Sequence, residues 1–413
     1  MKYVYDCHVA LIFPAPLYFN GERYSSDTIT YRSIFSTLSY FKKSEIITFV
    51  KHTPAIGRYF VDIENCHVHS LPYPENRIQW HITKALPIIA NLFYNLCRLK
   101  KLNVNTVVLF DMYFPNPIAY YICKFLKLKV ILRMTGRYDL WISESLKYDN
   151  FLVKFAGKFY SFFIKYLESS IAKKYKVITD GSFNFTSYVK DSHIEFCVES
   201  PLPACSIPAL NPYIAKPKSN TVKILCICRM HPGKGIHMLL DAMSILKQNN
   251  FSFHLDIGGP LYGQKFGDYE YRIRQQIDKL NLAEYVTIHG WLAEGETLEK
   301  IWSQADLFVI PYLTDADGVP RVIFESMSRG IPVVSTNVGG ISNVLMDDDG
   351  ILTGDLIPET FAASVINLFN NKDLLLSISN KLHADSYNYT AETASSHLAK
   401  IIFTNCSRYT AHE

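Results

Sequence analysis

The chain has 413 residues, 48% hydrophobic and 14% aromatic, a length and composition that suit two packed globular domains and exclude a disordered chain. Nine scattered cysteines, odd in number and without a Cys-x-x-Cys pair, argue against a disulfide framework and read as reduced thiols of a cytosolic protein. No run of about 18 uncharged apolar residues could span a bilayer, and the stretch 1–14 is too short and too polar for a signal peptide. The net charge of +4 is unevenly shared: residues 1–200 hold 25 Lys and Arg against 16 Asp and Glu, so the first half is the one suited to an acidic partner.

In chain order, Val9–Phe13 reads as a strand, Pro14–Asp27 as a loop, the stretch up to about Phe41 as a helix and Ile46–Val50 as a second strand. Asn20-Gly21 lies in the loop, where an α/β domain meets ligands; a weak glycine-rich loop and an ordinary turn are both open readings. Strands are expected at Thr106–Asp111 and Val130–Met134, around a helix from Pro117 to Leu128. Thr135-Gly136-Arg137-Tyr-Asp139 follows the second of them. Arg133 and Arg137 suit the phosphates of a donor or acceptor, or else are surface or ion-paired arginines.

A helical pattern runs from Lys147 to Lys176, with Lys147, Lys154, Lys158 and Lys165 on one face and Phe151, Phe155, Phe159, Phe162, Phe163 and Tyr166 between them. It fits an anionic membrane surface; the more ordinary reading is a solvated lysine stripe with the aromatics in the core. Val177–Asp180 reads as a short strand. The stretch 199–220 is proline-rich and reads as an interdomain linker.

From Val222 onward strands and helices alternate as in a doubly wound parallel sheet: strands at Val222–Cys228, Phe253–Ile257, Val286–His289, Leu307–Ile310 and Val333–Ser335, with helices starting at Ile236, Tyr269 and Thr297. A helical tail runs from Pro358 to about Arg408. No Gly-x-Gly-x-x-Gly follows a strand with an acidic residue about 20 positions on, which ranks a nicotinamide-dependent oxidoreductase last.

Loops after these strands carry chemistry-bearing residues. Arg229-Met-His231-Pro232-Gly233-Lys234-Gly235 follows the first. Gly258-Gly259-Pro260 follows the second, Gly290-Trp291 the third, and Gly339-Gly340-Ile-Ser-Asn343 the last. After the fourth come Asp315-Ala-Asp317-Gly318-Val319-Pro320-Arg-Val322-Ile-Phe-Glu325-Ser326-Met327. Ionised carboxylates accept hydrogen bonds from sugar hydroxyls. A cation pair stabilises the negative charge that builds on a leaving phosphate, more in the transition state than in the ground state. Asp315-x-Asp317 also spells a divalent-cation motif, and Asp347-Asp-Asp349 an acidic cluster, the first outweighed by the role below and the second by a turn reading.

With Asp317 and Glu325 eight positions apart and Arg229 and Lys234-Gly235 ahead of them, residues 221–355 resemble the donor-site signature of the family-4 retaining glycosyltransferases. Asp317, Cys228, Thr135 and Asn343 stand where that family more often has Glu, Gly, His and Glu. The resemblance implies a GT-B fold, two Rossmann-like domains facing a central cleft. They would be an acceptor-binding domain over 1–198, the linker 199–220, a nucleotide-sugar-binding domain over 221–385, and a helical segment over 386–413 that packs back on the first domain. It implies that Arg229 and Lys234 hold the diphosphate, Asp317 the donor sugar and Glu325 the ribose. Gly259, Pro260, Gly290 and Trp291 would approach the base, with Gly318, Val319, Pro320, Val322 and Gly339 completing the donor site. Gly21, Arg133, Thr135, Arg137 and Asp139 would lie on the acceptor side.

The implied reaction moves a sugar from a nucleotide diphosphate sugar to a lipid-linked or polysaccharide acceptor, with retention and without a metal or other cofactor. The implied setting is cytoplasmic, peripheral on the inner face of the plasma membrane, in bacterial surface-polysaccharide assembly. No nucleic-acid partner is expected. The rival readings are a soluble transferase acting on a small acceptor and a nucleotide-sugar-binding module without catalysis.

Overall fold

In the computed structural model the described residues are 5–26, 30–54, 57, 59–61, 66–75, 83–104, 106–137, 140, 142, 151–181, 193–200, 202–216, 219–260, 267–314, 318–345, 351–353 and 357–407. They fall into two compact units, Met1–Pro201 with Thr390–Glu413, and Leu202–Tyr389.

The first unit is built on β1 (Tyr5–Ile12), β2 (Leu17–Phe19), β3 (Tyr24–Ser26), β4 (Phe41–His52), β5 (Tyr59–Val61), β6 (Cys66–Pro72), β7 (Thr106–Phe110), β8 (Lys129–Met134), β9 (Lys176–Thr179) and β10 (Ile194–Phe196). They form one sheet in the order β10-β9-β8-β7-β1-β4-β2-β3-β5, with β6 pairing β4. Every pairing is parallel except β2–β3 and β3–β5.

Apolar runs such as Val107-Val108-Leu109-Phe110 suit strands buried on both faces, and the alternation of their side chains sorts them into two cores. Ala10, Ile12, Val107, Leu109, Val130 and Leu132 face a core closed by helices Ala85–Lys101, Asn116–Phe125 and Phe151–Ala172. Val9, Leu11, Val108, Phe110 and Ile131 face the other, closed by helices Thr30–Leu38 and Ala391–Ser407. The last of these helices seats Phe403 against Tyr5, ring centroids 4.4 Å apart.

The second unit holds β11 (Val222–Ile227), β12 (Phe253–Gly258), β13 (Val286–Gly290), β14 (Leu307–Ile310), β15 (Val333–Thr336) and β16 (Ile351–Thr353). All pairings are parallel, in the order β13-β12-β11-β14-β15-β16. Helices Ile236–Gln248, Gly267–Lys279, Glu296–Gln304, Val322–Ser328 and Pro358–Asn370 alternate with or follow the strands. The helical tail is broken at Asn371, which caps helix Lys372–Ser386 by accepting from Leu374 N–H, and again at 387–390.

The proline-rich stretch departs from the linker expectation. From Leu202 on it belongs to the second unit: Asn211 caps a turn of helix at Pro212–Ala215 and donates to Ser379 Oγ at 2.9 Å. His383 Nε2 lies 2.9 Å from the Pro208 carbonyl, and Lys216 pairs with Asp306 at 2.8 Å. Proline suits this role because it has no N–H to satisfy while its carbonyl still accepts.

Candidate active site

In a doubly wound sheet, ligands meet the carboxyl ends of the strands where the order reverses. In the second unit that point lies between β11 and β14, since β12 and β13 extend to one side of β11 and β14, β15 and β16 to the other. The loops leaving the strand ends remain tied together. Cys228 N–H donates to the Gly258 carbonyl at 2.9 Å, Met230 N–H to that of Pro260 at 3.0 Å, and Gly259 N–H to that of Gly290 at 2.7 Å.

Between β11 and its helix the chain makes a tight turn, Pro232–Lys234. His231 Nδ1 accepts from Gly233 N–H at 3.0 Å, and the Gly233 carbonyl accepts from Leu313 N–H at 2.9 Å, which joins this turn to the loop after β14. Lys234 is buried, and its Nζ lies 3.6 Å from the centroid of the Tyr312 ring. An ammonium over a ring face is attracted by the ring quadrupole, so the Tyr312 ring offsets part of the cost of burying this cation at the switch point. Thr336 Oγ1 in turn donates to the Tyr312 carbonyl at 2.6 Å, fixing the loop from the β15 side.

Glu325 sits in helix Val322–Ser328, directly after the loop that follows β14. Burial pushes its carboxyl above the ordinary range, while the Arg329 guanidinium pulls it back. Arg329 donates through Nη2 to both Glu299 oxygens, at 2.7 and 2.8 Å, and through Nη1 to the Glu325 carbonyl at 3.0 Å. Its guanidinium carbon lies 5.2 Å from the centroid of the Trp302 ring.

The residues singled out from the sequence therefore gather at one edge of one sheet. Arg229 and Lys234 follow β11, and Gly259 and Pro260 follow β12. Gly290 ends β13, with Trp291 exposed beyond it; Gly318, Val319, Pro320, Val322 and Glu325 follow β14, and Gly339 follows β15. Asp317, Asp139, Asp315 and the cluster Asp347–Asp349 lie outside the described residues. Tyr312, the ring under Lys234, was not among the sequence candidates.

In the first unit the corresponding candidates separate. Gly21 lies at the exposed tip of the β2–β3 hairpin, where Asn20 Oδ1 accepts from Glu22 and Arg23 N–H, the geometry of a turn. Arg133 and Arg137 are buried rather than on the surface. Thr135 donates through its N–H and its Oγ1 to the two carboxylate oxygens of Asp111, each at 2.8 Å.

Asp111 is a further acidic group at a strand end that the sequence reading passed over. It follows β7, the strand that pairs with β1 at this sheet's own reversal of order, and adopts φ 54°. Burial raises its carboxyl from 3.8 to about 6, against the two Thr135 hydrogen bonds and the Arg133 charge, with Glu199 adding to the rise. Between about pH 4 and 6 the folded chain then holds a proton that the unfolded chain has lost, so this group's contribution to stability falls as pH rises through that window.

Asp111→Asn tolerates the left-handed backbone and can keep both Thr135 contacts. It is expected to raise stability by about 1–3 kcal/mol at pH 7.5 and to lose that advantage by about pH 4. Urea melts at pH 4.5, 6 and 7.5 measure this. A gap that does not change with pH would mean that ionisation of Asp111 is not its source.

Residues 221–371 match the family described as Glycosyl transferases group 1. The chain is 30% identical over 159 residues to a protein of Escherichia coli strain K12 named as the colanic acid biosynthesis glycosyltransferase WcaL, covering 38% of this chain and 37% of that one. It is 31% identical over 142 residues to the amylovoran biosynthesis glycosyltransferase AmsK of Erwinia amylovora, covering 33% and 32%. The chain thus spans about a third of the length of these curated relatives. Among solved structures, a glycosyltransferase of Rickettsia africae superposes over 98% of this chain and 99% of its own, with TM-score 0.68 and 17% identity. WaaG, a glycosyltransferase involved in lipopolysaccharide biosynthesis, superposes over 95% and 99%, with TM-score 0.62 and 13% identity. Anabaena HepE, solved with UDP and glucose, does so over 96% and 100%, with TM-score 0.65 and 13% identity. The fold shared with these structures is GT-B.

Proposed function

We propose that this chain, with its group 1 glycosyltransferase domain and GT-B fold, moves a sugar from a nucleotide diphosphate sugar to a glycan or lipid-linked acceptor in polysaccharide assembly, with retention at the anomeric carbon. The observation that carries the reading is Lys234, held over Tyr312 where β11 and β14 part. A fixed cation there meets the phosphate oxygen that becomes negative as the sugar leaves, so its effect is larger in the transition state than with bound donor. Arg229, on the same loop, adds a planar fork for the second phosphate. Glu325 would accept the ribose hydroxyls and Asp317 those of the sugar, while Gly259, Pro260, Gly290 and Trp291 approach the base.

In this proposal the leaving phosphate itself helps to deprotonate the acceptor on the face it departs from, so no protein nucleophile takes part, and the two cations supply the charge that a metal would otherwise bring. Its setting is the cytoplasmic face of an anionic membrane, where a lipid carrier presents the acceptor to the first unit.

The test is thermal stabilisation by a panel of nucleoside diphosphates and their sugars, with and without magnesium. A ligand bound by the native state alone at 100 times its Kd adds about 2.7 kcal/mol. The expected result is a shift with one base that magnesium does not alter, followed by turnover in which NMR shows the product anomer retained. Stabilisation without turnover would support a binding module instead, and no shift with any nucleotide would remove the donor site.

A further inference from the structure

Helix Phe151–Ala172 carries two opposite stripes. Ile164, Leu167 and Ile171 are fully buried in the core beneath it. Phe151, Phe155, Phe159, Phe162 and Tyr166, spaced 4, 4, 3 and 4, lie about 150° away at 3.6 residues per turn and are exposed by 79, 65, 71, 72 and 64%. Of the aromatics noted in this helix, Phe163 is partly buried against the core, so the more ordinary reading from sequence, rings inward and lysines out, does not hold.

Five adjacent exposed rings are far outside the scatter of single apolar residues normal on a surface. Lys154, Lys158 and Lys165, each exposed, immediately precede Phe155, Phe159 and Tyr166 and so line one flank of the stripe.

The neighbouring helices of the same layer repeat the pattern. Ala85–Lys101 exposes Leu86, Phe93 and Tyr94, and Asn116–Phe125 exposes Tyr121 and Phe125. Across the three helices the cations are Arg98, Lys100, Lys101, Lys124 and the three flanking lysines, while the sole acid is Glu168, which is fully buried. A second copy of this face would bring cations against cations. Among the described residues no helix is long and apolar enough to cross a membrane.

We propose that this three-helix layer docks the first unit on an anionic phospholipid bilayer, the Phe151–Tyr166 stripe entering the headgroup boundary and the flanking lysines meeting lipid phosphates. Rings supply apolar area at interfacial depth, and each lysine near a negative surface adds electrostatic attraction that salt screens. The inference rests on the transferase reading only for its purpose, a lipid-borne acceptor. Its surface is independent of the donor site.

The experiment is sedimentation of the full chain with vesicles of neutral phosphatidylcholine, or of the same lipid with 30% phosphatidylglycerol, without any substrate. Binding is expected on the anionic vesicles, falling as salt rises. Lys154→Glu, Lys158→Glu and Lys165→Glu together should lower the partition coefficient about 100-fold. Phe155→Ser, Phe159→Ser and Phe162→Ser together should lower it about tenfold or more. These side chains are exposed, so melting curves should match the parent's and rule out misfolding. Partition equal on the two vesicle types, partition unchanged in either variant, or a dimer that the Phe variant dissolves without vesicle binding would overturn the proposal. Because no nucleotide is present, each of these outcomes is read separately from failure of the transferase reading.

Discussion

Lys234→Ala is expected to lower turnover by about 10²-fold or more, the usual cost of losing one preorganised charge at a developing oxyanion. The side chain is buried, and its ammonium is held 3.6 Å from the Tyr312 ring centroid, so its position is set before substrate arrives. A group held in advance needs no reorganisation during the reaction, which is why its loss should fall on kcat more than on donor KM. Lys234→Arg should recover only part of the rate, because a planar guanidinium replaces a compact point charge in a site shaped by a ring face. Tyr312→Leu should give a smaller loss of the same kind, since it leaves the cation in place but takes away the ring that steadies it. Steady-state kinetics on all three, beside melting curves to confirm folding, make the comparison. Turnover of Lys234→Ala within twofold of the parent would remove the phosphate assignment.

Much of the second unit was legible because its signals were local. The strands are short apolar or alternating runs, three of them (β12, β13 and β14) closed directly by glycine or proline, so naming the strands also placed the loops that follow them at one end of the sheet. Tyr312 escaped because nothing in Pro311-Tyr312-Leu313 marks the ring as lying under a lysine that stands 78 positions earlier in the chain. That contact follows from the β11–β14 pairing, which links Ile224 to Leu307 and Leu225 to Phe308. The stretch 202–216 misled for a related reason: proline content signals the lack of regular structure, and says nothing about whether a neighbour accepts the chain.

The first unit was harder to read. Strand β6 contains His67, His69 and Ser70, and its polarity hides a strand that packs beside β4. What allows it there is Glu45, whose carboxylate oxygens meet His8 Nε2 at 2.9 Å and His69 Nε2 at 2.8 Å. Buried polar groups paired in this way satisfy one another, and no single segment shows the pairing. Helix Ala85–Lys101 was within reach, since Ile88, Leu92, Leu96 and Leu99 repeat at helical spacing and are all buried. Helix Phe151–Ala172 shows the limit of periodicity: it reveals two stripes of large side chains but not which one faces the core. Asp111 was hidden by its own economy, one acid after a strand, given meaning only by Thr135 from the next strand end.

Gly235→Ala should be among the most damaging single methyl groups in the second unit. Gly235 has φ 69°, where an alanine alone costs about 1 kcal/mol. A Cβ placed there would also lie 1.7 Å from the Pro311 carbonyl oxygen and 2.9 Å from its carbon, both backbone atoms. That backbone has little freedom to withdraw. Ser335 Oγ donates to the Ile310 carbonyl at 3.2 Å, Thr336 Oγ1 to the Tyr312 carbonyl at 2.6 Å, and Leu313 N–H to the Gly233 carbonyl at 2.9 Å. Relieving the clash means breaking these bonds or parting the loops after β11 and β14, so the cost should reach about 4 kcal/mol. For a unit of this size that lowers the melting midpoint by about 8–16 °C. Gly290→Ala is the control: its φ is 70°, but a Cβ there meets nothing within 4 Å, so it should show the backbone penalty alone, about 1 kcal/mol. If the two variants melted together, close approach of the two loops would not be the reason for glycine at 235. A large gap between them would mean that the loop carrying Lys234 is held against the loop after β14 by contact with no room for one carbon, the rigidity that a preorganised phosphate site requires.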